Sequence, residues 1–136
     1  MRQINQIVEE MKAGACRELL RDIYVDEGVI GYQEERYVRA LGEYVKIFGE
    51  QEVEIYSAPG RSEVGGNHTD HQHGMVLATS INLDAIAIVN KNEDSSVNIY
   101  SDGYGMIELC ADELKKRPEE ESTSAGLIRG VLAGLS

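Results

Sequence analysis

The sequence predicts an α+β fold, and three observations carry the prediction. Apolar residues recur with helical period through the first fifty positions, and with period two or as short apolar runs from residue 52 to 109. A last apolar helix follows Pro118. The order, two helices, about five strands and one helix, suits helices laid on one face of a mixed or antiparallel sheet. A chain of 136 residues and 15.0 kDa is the usual size of one domain. We therefore expect a single domain over 1–136, with a helical lead-in over 1–50 and strands, a polar loop and the last helix over 51–136.

Ile4, Ile7, Val8 and Met11 fall at i, i+3, i+4 and i+7, one face of a helix. Gly14 is its candidate interruption, and Arg17-Glu18-Leu19-Leu20 its extension. Gly28 and Gly31 bracket an expected loop. Tyr37, Leu41, Tyr44, Val45 and Phe48 stripe a second helix over Gln33–Phe48, which Gly49 is placed to cap. Glu52-Val53-Glu54-Ile55-Tyr56 alternates as a half-buried strand does, and Ala58-Pro59-Gly60 is expected to end it. Met75–Ile81 and Asp84–Val89 read as two further strands. The run Ala85-Ile86-Ala87-Ile88-Val89 predicts a strand covered on both faces. Val97–Tyr100 and Met106–Leu109 form a pair joined through Asp102-Gly103-Tyr104-Gly105. The final helix begins near Glu121–Ser124, with a broad apolar face of Leu127, Ile128, Val131, Leu132 and Leu135. Its Gly126, Gly130 and Gly134 are poor helix formers unless another element approaches closely.

Composition narrows the function. The 24 acidic and 13 basic residues leave a net charge of −11. A field of that sign repels phosphate backbones and anionic lipid, so neither nucleic acid nor a membrane surface is an expected partner. No stretch approaches the length of a membrane span, and the first residues lack the continuous apolar run of a signal peptide. Cys16 and Cys110 are expected as reduced thiols, which fits a cytoplasmic protein.

The chemistry concentrates in a polar stretch, Arg61 to Gly74, between two strands; it holds all three histidines. A loop held between strands is a rigid place for a site. Four readings compete. As a phosphate loop it fails, because Gly66-Asn67 stands where lysine and a hydroxyl residue are required. As a zinc site it offers His68, Asp70, His71 and His73, but in neither helical nor finger spacing. As a polyol pocket it is well equipped: Asp70 can accept from two vicinal hydroxyls, Asn67 and His68 can donate or accept, and Arg61 brings permanent charge. Structurally, Asn67 and Asp70 could instead hold turn backbone, with Arg61 in a surface ion pair.

Ala58-Pro59-Gly60-Arg61, then His68-Thr69-Asp70, then Gly74-Met75-Val76-Leu77, resembles the N-terminal signature of galactokinases, in the GHMP kinase superfamily. Phe48-Gly49 upstream and Asn82-Leu83-Asp84 downstream also fit, and the likeness runs from about residue 33 to the end. The resemblance implies a lobe like ribosomal protein S5. It implies that Arg61 assists phosphoryl transfer, and that Asn67, His68 and Asp70 bind hydroxyls of galactose or a related monosaccharide. Three departures mark a divergent subgroup: Asn67 where the family has glutamate, Glu63 for asparagine and His71 for tyrosine. ATP and Mg²⁺ are the cofactors of the full-length kinase that the resemblance implies. Its glycine-serine phosphate loop has no counterpart in this sequence; Gly134-Leu135-Ser136 echoes only three letters of it. The expectation is therefore a sugar-binding portion with no kinase activity, no bound cofactor and no resident metal. The apolar last helix and incomplete sheet predict homo-oligomerisation. A non-enzymatic sugar-binding or scaffold domain is the alternative from another class.

Overall fold

The computed structural model describes residues 1–66 and 73–135. Its order is β1 (Arg2–Gln3), α1 (Ile4–Lys12), α2 (Arg17–Tyr24), a 3₁₀ turn (Glu27–Val29), α3 (Ile30–Phe48), β2 (Glu52–Gly65), β3 (Leu77–Val89), β4 (Ser96–Ser101), β5 (Gly105–Cys110), a 3₁₀ turn (Pro118–Glu120) and α4 (Ser124–Leu135). The fold is α+β, as expected, and every strand pairing among the described residues is antiparallel. The strands form two sheets rather than one: β1-β2-β3 and β4-β5. The chain divides into two compact units, Met1–Asn90 and Lys91–Ser136.

In the first unit α1, α2 and α3 pack on one side of β2 and β3. Gly14 does break the first helical segment: it takes φ +75°, and α2 starts afresh at Arg17. The core comprises Ile4, Ile7, Met11, Leu20, Tyr24, Ile30, Tyr37, Leu41 and Val53, with Leu41 fully buried. The expected loop around Gly28 and Gly31 is replaced by ordered backbone. Asp26 accepts from the Gly28 amide at 2.8 Å and starts the 3₁₀ turn, which runs directly into α3 three residues ahead of the expected start. Gly49 closes α3 with φ +81°.

The larger corrections concern the sheet. Ala58-Pro59-Gly60 does not end β2, which continues to Gly65. Met75–Ile81 and Asp84–Val89 are not two strands, since β3 runs unbroken from Leu77 to Val89. The reason lies in pairing. The two strands pair on both sides of Pro59-Gly60, so local turn preference there gives way to the ladder and leaves only a slip in register. Proline is tolerated because the ladder slips beside it. Nor is Ala85–Val89 covered on both faces. Asp84, Ile86 and Ile88 are half-buried while Ala85, Ala87 and Val89 are exposed, the pattern of a sheet with one face on the core.

In the second unit β4 and β5 form a hairpin, closed by Ser101 accepting from the Tyr104 amide at 2.9 Å. Helix α4 begins as expected and leaves much of its apolar face exposed, while burying a charge. Leu127, Val131 and Leu135 are 70%, 55% and 82% exposed, whereas Arg129 is 3% exposed. Its guanidinium donates twice to the Glu120 carboxylate, at 2.7 Å each, and to the Glu113 carbonyl. That pairing lowers the Glu120 pKa: Arg129's hydrogen bond favours the carboxylate more than partial burial opposes it. Gly126 is small for a reason: a Cβ there would lie 2.4 Å from the Glu120 carbonyl. Gly130 and Gly134 face nothing within 4 Å, so close approach explains one of the three.

Candidate functional site

Arg61 lies on β2, opposite Ser80 of β3, and is exposed. Among the described residues it makes no ion pair, so its permanent charge is not spent on a neighbouring carboxylate within that set. The surface ion pair considered from sequence is therefore not formed there. Arg61 is a strand residue, not a loop residue as the polar composition suggested.

The backbone around it is irregular in two places. Pro59 pairs with Asp84 and Arg61 with Ser80, so Ile81, Asn82 and Leu83 stand against Gly60 alone. This bulge bends β3 around Gly60, where a Cβ would meet the Leu83 carbonyl at 3.2 Å and Ile81 Cδ1 at 3.3 Å. The second slip leaves Val64 without an opposite number between the Glu63–Ala78 and Gly65–Leu77 pairs. Bulges concentrate beside active sites because they re-aim side chains. Here one falls immediately before Arg61 and the other soon after it.

Gly66 then takes φ +115°, and its α-hydrogen side abuts the returning chain. A Cβ would sit 2.7 Å from the Met75 carbonyl oxygen and 2.7 Å from Val76 Cα. The two backbones thus touch on either side of residues 67–72. His73 follows that span with φ +59°. Asn67, His68 and Asp70, three of the four expected sugar-site residues, lie outside the described residues, as does His71. Of the zinc candidates only His73 is described, and among the described residues no three His, Cys, Asp or Glu side chains converge as a metal site. Both cysteines are free, as expected.

Sequence reasoning missed a polar cluster just behind the first bulge. The Asp84 carboxylate is 4% exposed and takes Arg36 Nη1 at 2.5 Å, Tyr24 Oη at 2.8 Å and Ser57 Oγ at 2.6 Å. Arg36 Nη2 also donates to the Asp84 carbonyl at 2.8 Å, and Gln33 accepts from Arg36 at 3.1 Å. Tyr37 and Tyr24 hydroxyls meet at 3.0 Å. Burial alone would raise the Asp84 pKa; the donors from Ser57, Arg36 and Tyr24 outweigh it and hold the carboxyl below its ordinary range. Burial, together with the bonds to Tyr37 and Asp84, drives the Tyr24 phenol far upward, so it stays a neutral donor. The signal available in sequence was the period-two position of Asp84 with Ile86 and Ile88, which puts a charge on a buried face and demands partners.

Residues 42–91 match the galactokinase galactose-binding signature. The galactokinase of Enterococcus faecalis is 34% identical over 77 residues, 54% of this chain and 20% of that protein. That of Lactococcus lactis subsp. lactis is 35% identical over 81 residues, 57% and 20%. That of Fusobacterium nucleatum is 31% identical over 103 residues, 72% and 26%. The chain thus spans about a fifth to a quarter of the length of the relatives it matches. No solved structure gives a significant match. No helix among the described residues is long and apolar enough to cross a membrane.

Proposed function

We propose, from the premise that the chain is related to the N-terminal galactose-binding region of galactokinases, that it holds galactose or a closely related monosaccharide as the sugar-binding portion of an ATP-dependent sugar kinase. The carrying observation is that the matched signature, 42–91, spans Arg61 and the whole segment 67–70. The described geometry supports it: the arginine makes no ion pair among the described residues, and it stands on a bulged strand beside a tight glycine neck.

Each residue has a definite task in this reading. Asp70 accepts from neighbouring sugar hydroxyls, while Asn67 and His68 donate to or accept from others. Rigid placement of the acceptor hydroxyl is the main catalytic contribution such a lobe makes. Arg61 supplies a fixed positive charge suited to a transferring phosphoryl group. ATP and Mg²⁺ serve the whole sugar kinase, giving the phosphoryl group and its charge neutralisation. Among the described residues no three His, Cys, Asp or Glu side chains converge as a metal site, and the sequence carries no counterpart of the kinase's glycine-serine phosphate loop. The chain alone is accordingly proposed to bind sugar without phosphorylating it, in the cytoplasm.

Titration calorimetry with galactose tests the reading. Saturable binding by the wild-type chain, abolished in Asp70→Ala and weakened at least about tenfold (about 1.4 kcal/mol) in Arg61→Ala, is expected. No heat at millimolar sugar overturns it.

The same reading includes self-association. β3 bonds on one edge to β2 and, among the described residues, to no strand on the other, over 13 residues. Leu77 and Leu83 on it are 64% and 70% exposed. Long open edges bearing apolar side chains pair with other chains. Sedimentation velocity is expected to show concentration-dependent dimers or larger species; a monomer throughout the micromolar range overturns this.

A further inference from the structure

Arg61 has no polar anchor of its own among the described residues, and within that set its position is set by its backbone. That backbone emerges from the first bulge, where three residues of β3 face one of β2. An extra loop of strand is soft unless its ends are fixed. The near end is Asp84, register partner of Pro59, two residues ahead of Arg61. It is fixed unusually well. Its side chain is bonded to β2 through Ser57, to α2 through Tyr24 and to α3 through Arg36, and its own carbonyl is held by Arg36. Gly60 then lets the Leu83 carbonyl and the Ile81 side chain close over β2 without a Cβ in the way. A buried charge with this many partners costs desolvation that an apolar residue would avoid, so its place beside the bulge calls for a reason beyond packing.

We propose that Asp84 is a positioning residue for Arg61: its carboxylate and carbonyl tie the start of the β3 bulge to α2, α3 and Ser57, and so fix the stretch of β2 that presents Arg61. The inference rests on the sugar-site reading of Arg61. It assigns to the helical half of the unit a part in the site, through Tyr24 and Arg36.

The test is backbone amide hydrogen exchange on the intact chain, comparing wild type, Asp84→Asn and Leu41→Ala, the last a core cavity remote from the bulge in sequence. Asp84→Asn is expected to speed exchange at Arg61, Ser62, Ala78 and Ser80 at least about tenfold more than at Ile55, Tyr56, Ala87 and Ile88. Leu41→Ala is expected to speed both groups alike, as a loss of global stability does. Where Asp84→Asn fails to fold, Ser57→Ala removes one anchor and leaves the Arg36 pair, and the same contrast is expected, reduced in size. Equal acceleration on both sides of the bulge overturns the proposal. Galactose affinity, measured in parallel, is expected to fall at least about tenfold in Asp84→Asn. If the wild-type chain binds no galactose, the sugar reading fails, while the exchange contrast still decides whether Asp84 sets the Arg61 backbone.

Discussion

Gly66→Ala is expected to lower the melting temperature by at least about 5 °C, whereas Gly65→Ala is expected to leave it unchanged or raise it slightly. The two glycines are neighbours and look alike in sequence, yet the backbone separates them. At Gly66 a Cβ would lie 2.7 Å from two backbone atoms, the Met75 oxygen and Val76 Cα, and φ is +115°. Backbone cannot swing aside as a side-chain tip can. An L-residue at such a φ costs about 1–3 kcal/mol before any clash is counted. For a unit of this size each kcal/mol is worth roughly 4–8 °C. Gly65 sits in extended strand with open space around its Cβ position, where Gly→Ala commonly stabilises by about 0.4–1 kcal/mol through the unfolded chain. Thermal unfolding of the two variants by circular dichroism checks the contrast. Because the Gly66 contact joins the chain on both sides of residues 67–72, Gly66→Ala is also expected to lose galactose binding measured by calorimetry. Equal melting temperatures for the two variants would remove the neck as a constraint.

What was legible in the sequence divides along a physical line. The helices were found because their apolar period is local: Ile4, Ile7 and Met11, and then Tyr37 and Leu41, are buried as the spacing requires. The candidate sugar loop was read from ordered motif residues, and the galactose-binding signature that matches over 42–91 covers the same segment. Strand length was not legible, because Pro59-Gly60 reads locally as a stop and only the long-range pairing with β3 overrides it. The buried charge on α4 was missed for a related reason. Its leucines and valine outnumber its one arginine, but Arg129 finds Glu120 and the Glu113 carbonyl within its own unit and is the side chain that goes inside. Buried charges are invisible to hydropathy, since what stabilises them is a partner distant in sequence: Arg36 is 48 residues from Asp84.

That same buried pair sets the second large effect. Asp84→Ala is expected to destabilise the chain by about 3–5 kcal/mol, because it leaves the Arg36 guanidinium in a largely buried place with its counter-charge gone. Arg36 is 19% exposed in its side chain and Asp84 4%, so water cannot make good the loss as it does at the surface pair of Lys46 and Glu43, 70% and 52% exposed. Tyr24 and Ser57 lose their acceptor at the same time. The effect carries a pH signature whose sign follows from the Asp84 pKa, held below that of the unfolded chain by its donors. A carboxyl with a depressed folded pKa contributes fully above its unfolded value, near 3.9, and the contribution drains away as pH falls through the folded value. Stability of the wild type is therefore expected to fall more steeply below about pH 4 than that of Asp84→Asn, by up to roughly 1.4 kcal/mol per pH unit, the slope of one proton. Above pH 5 the two curves should run parallel, the wild type higher. Urea titrations at half-unit steps from pH 2.5 to 7 would show this. Parallel curves through the acid range would mean that the Asp84 carboxyl titrates alike in folded and unfolded chains, and that hydrogen bonding at the bulge rather than charge holds the cluster together.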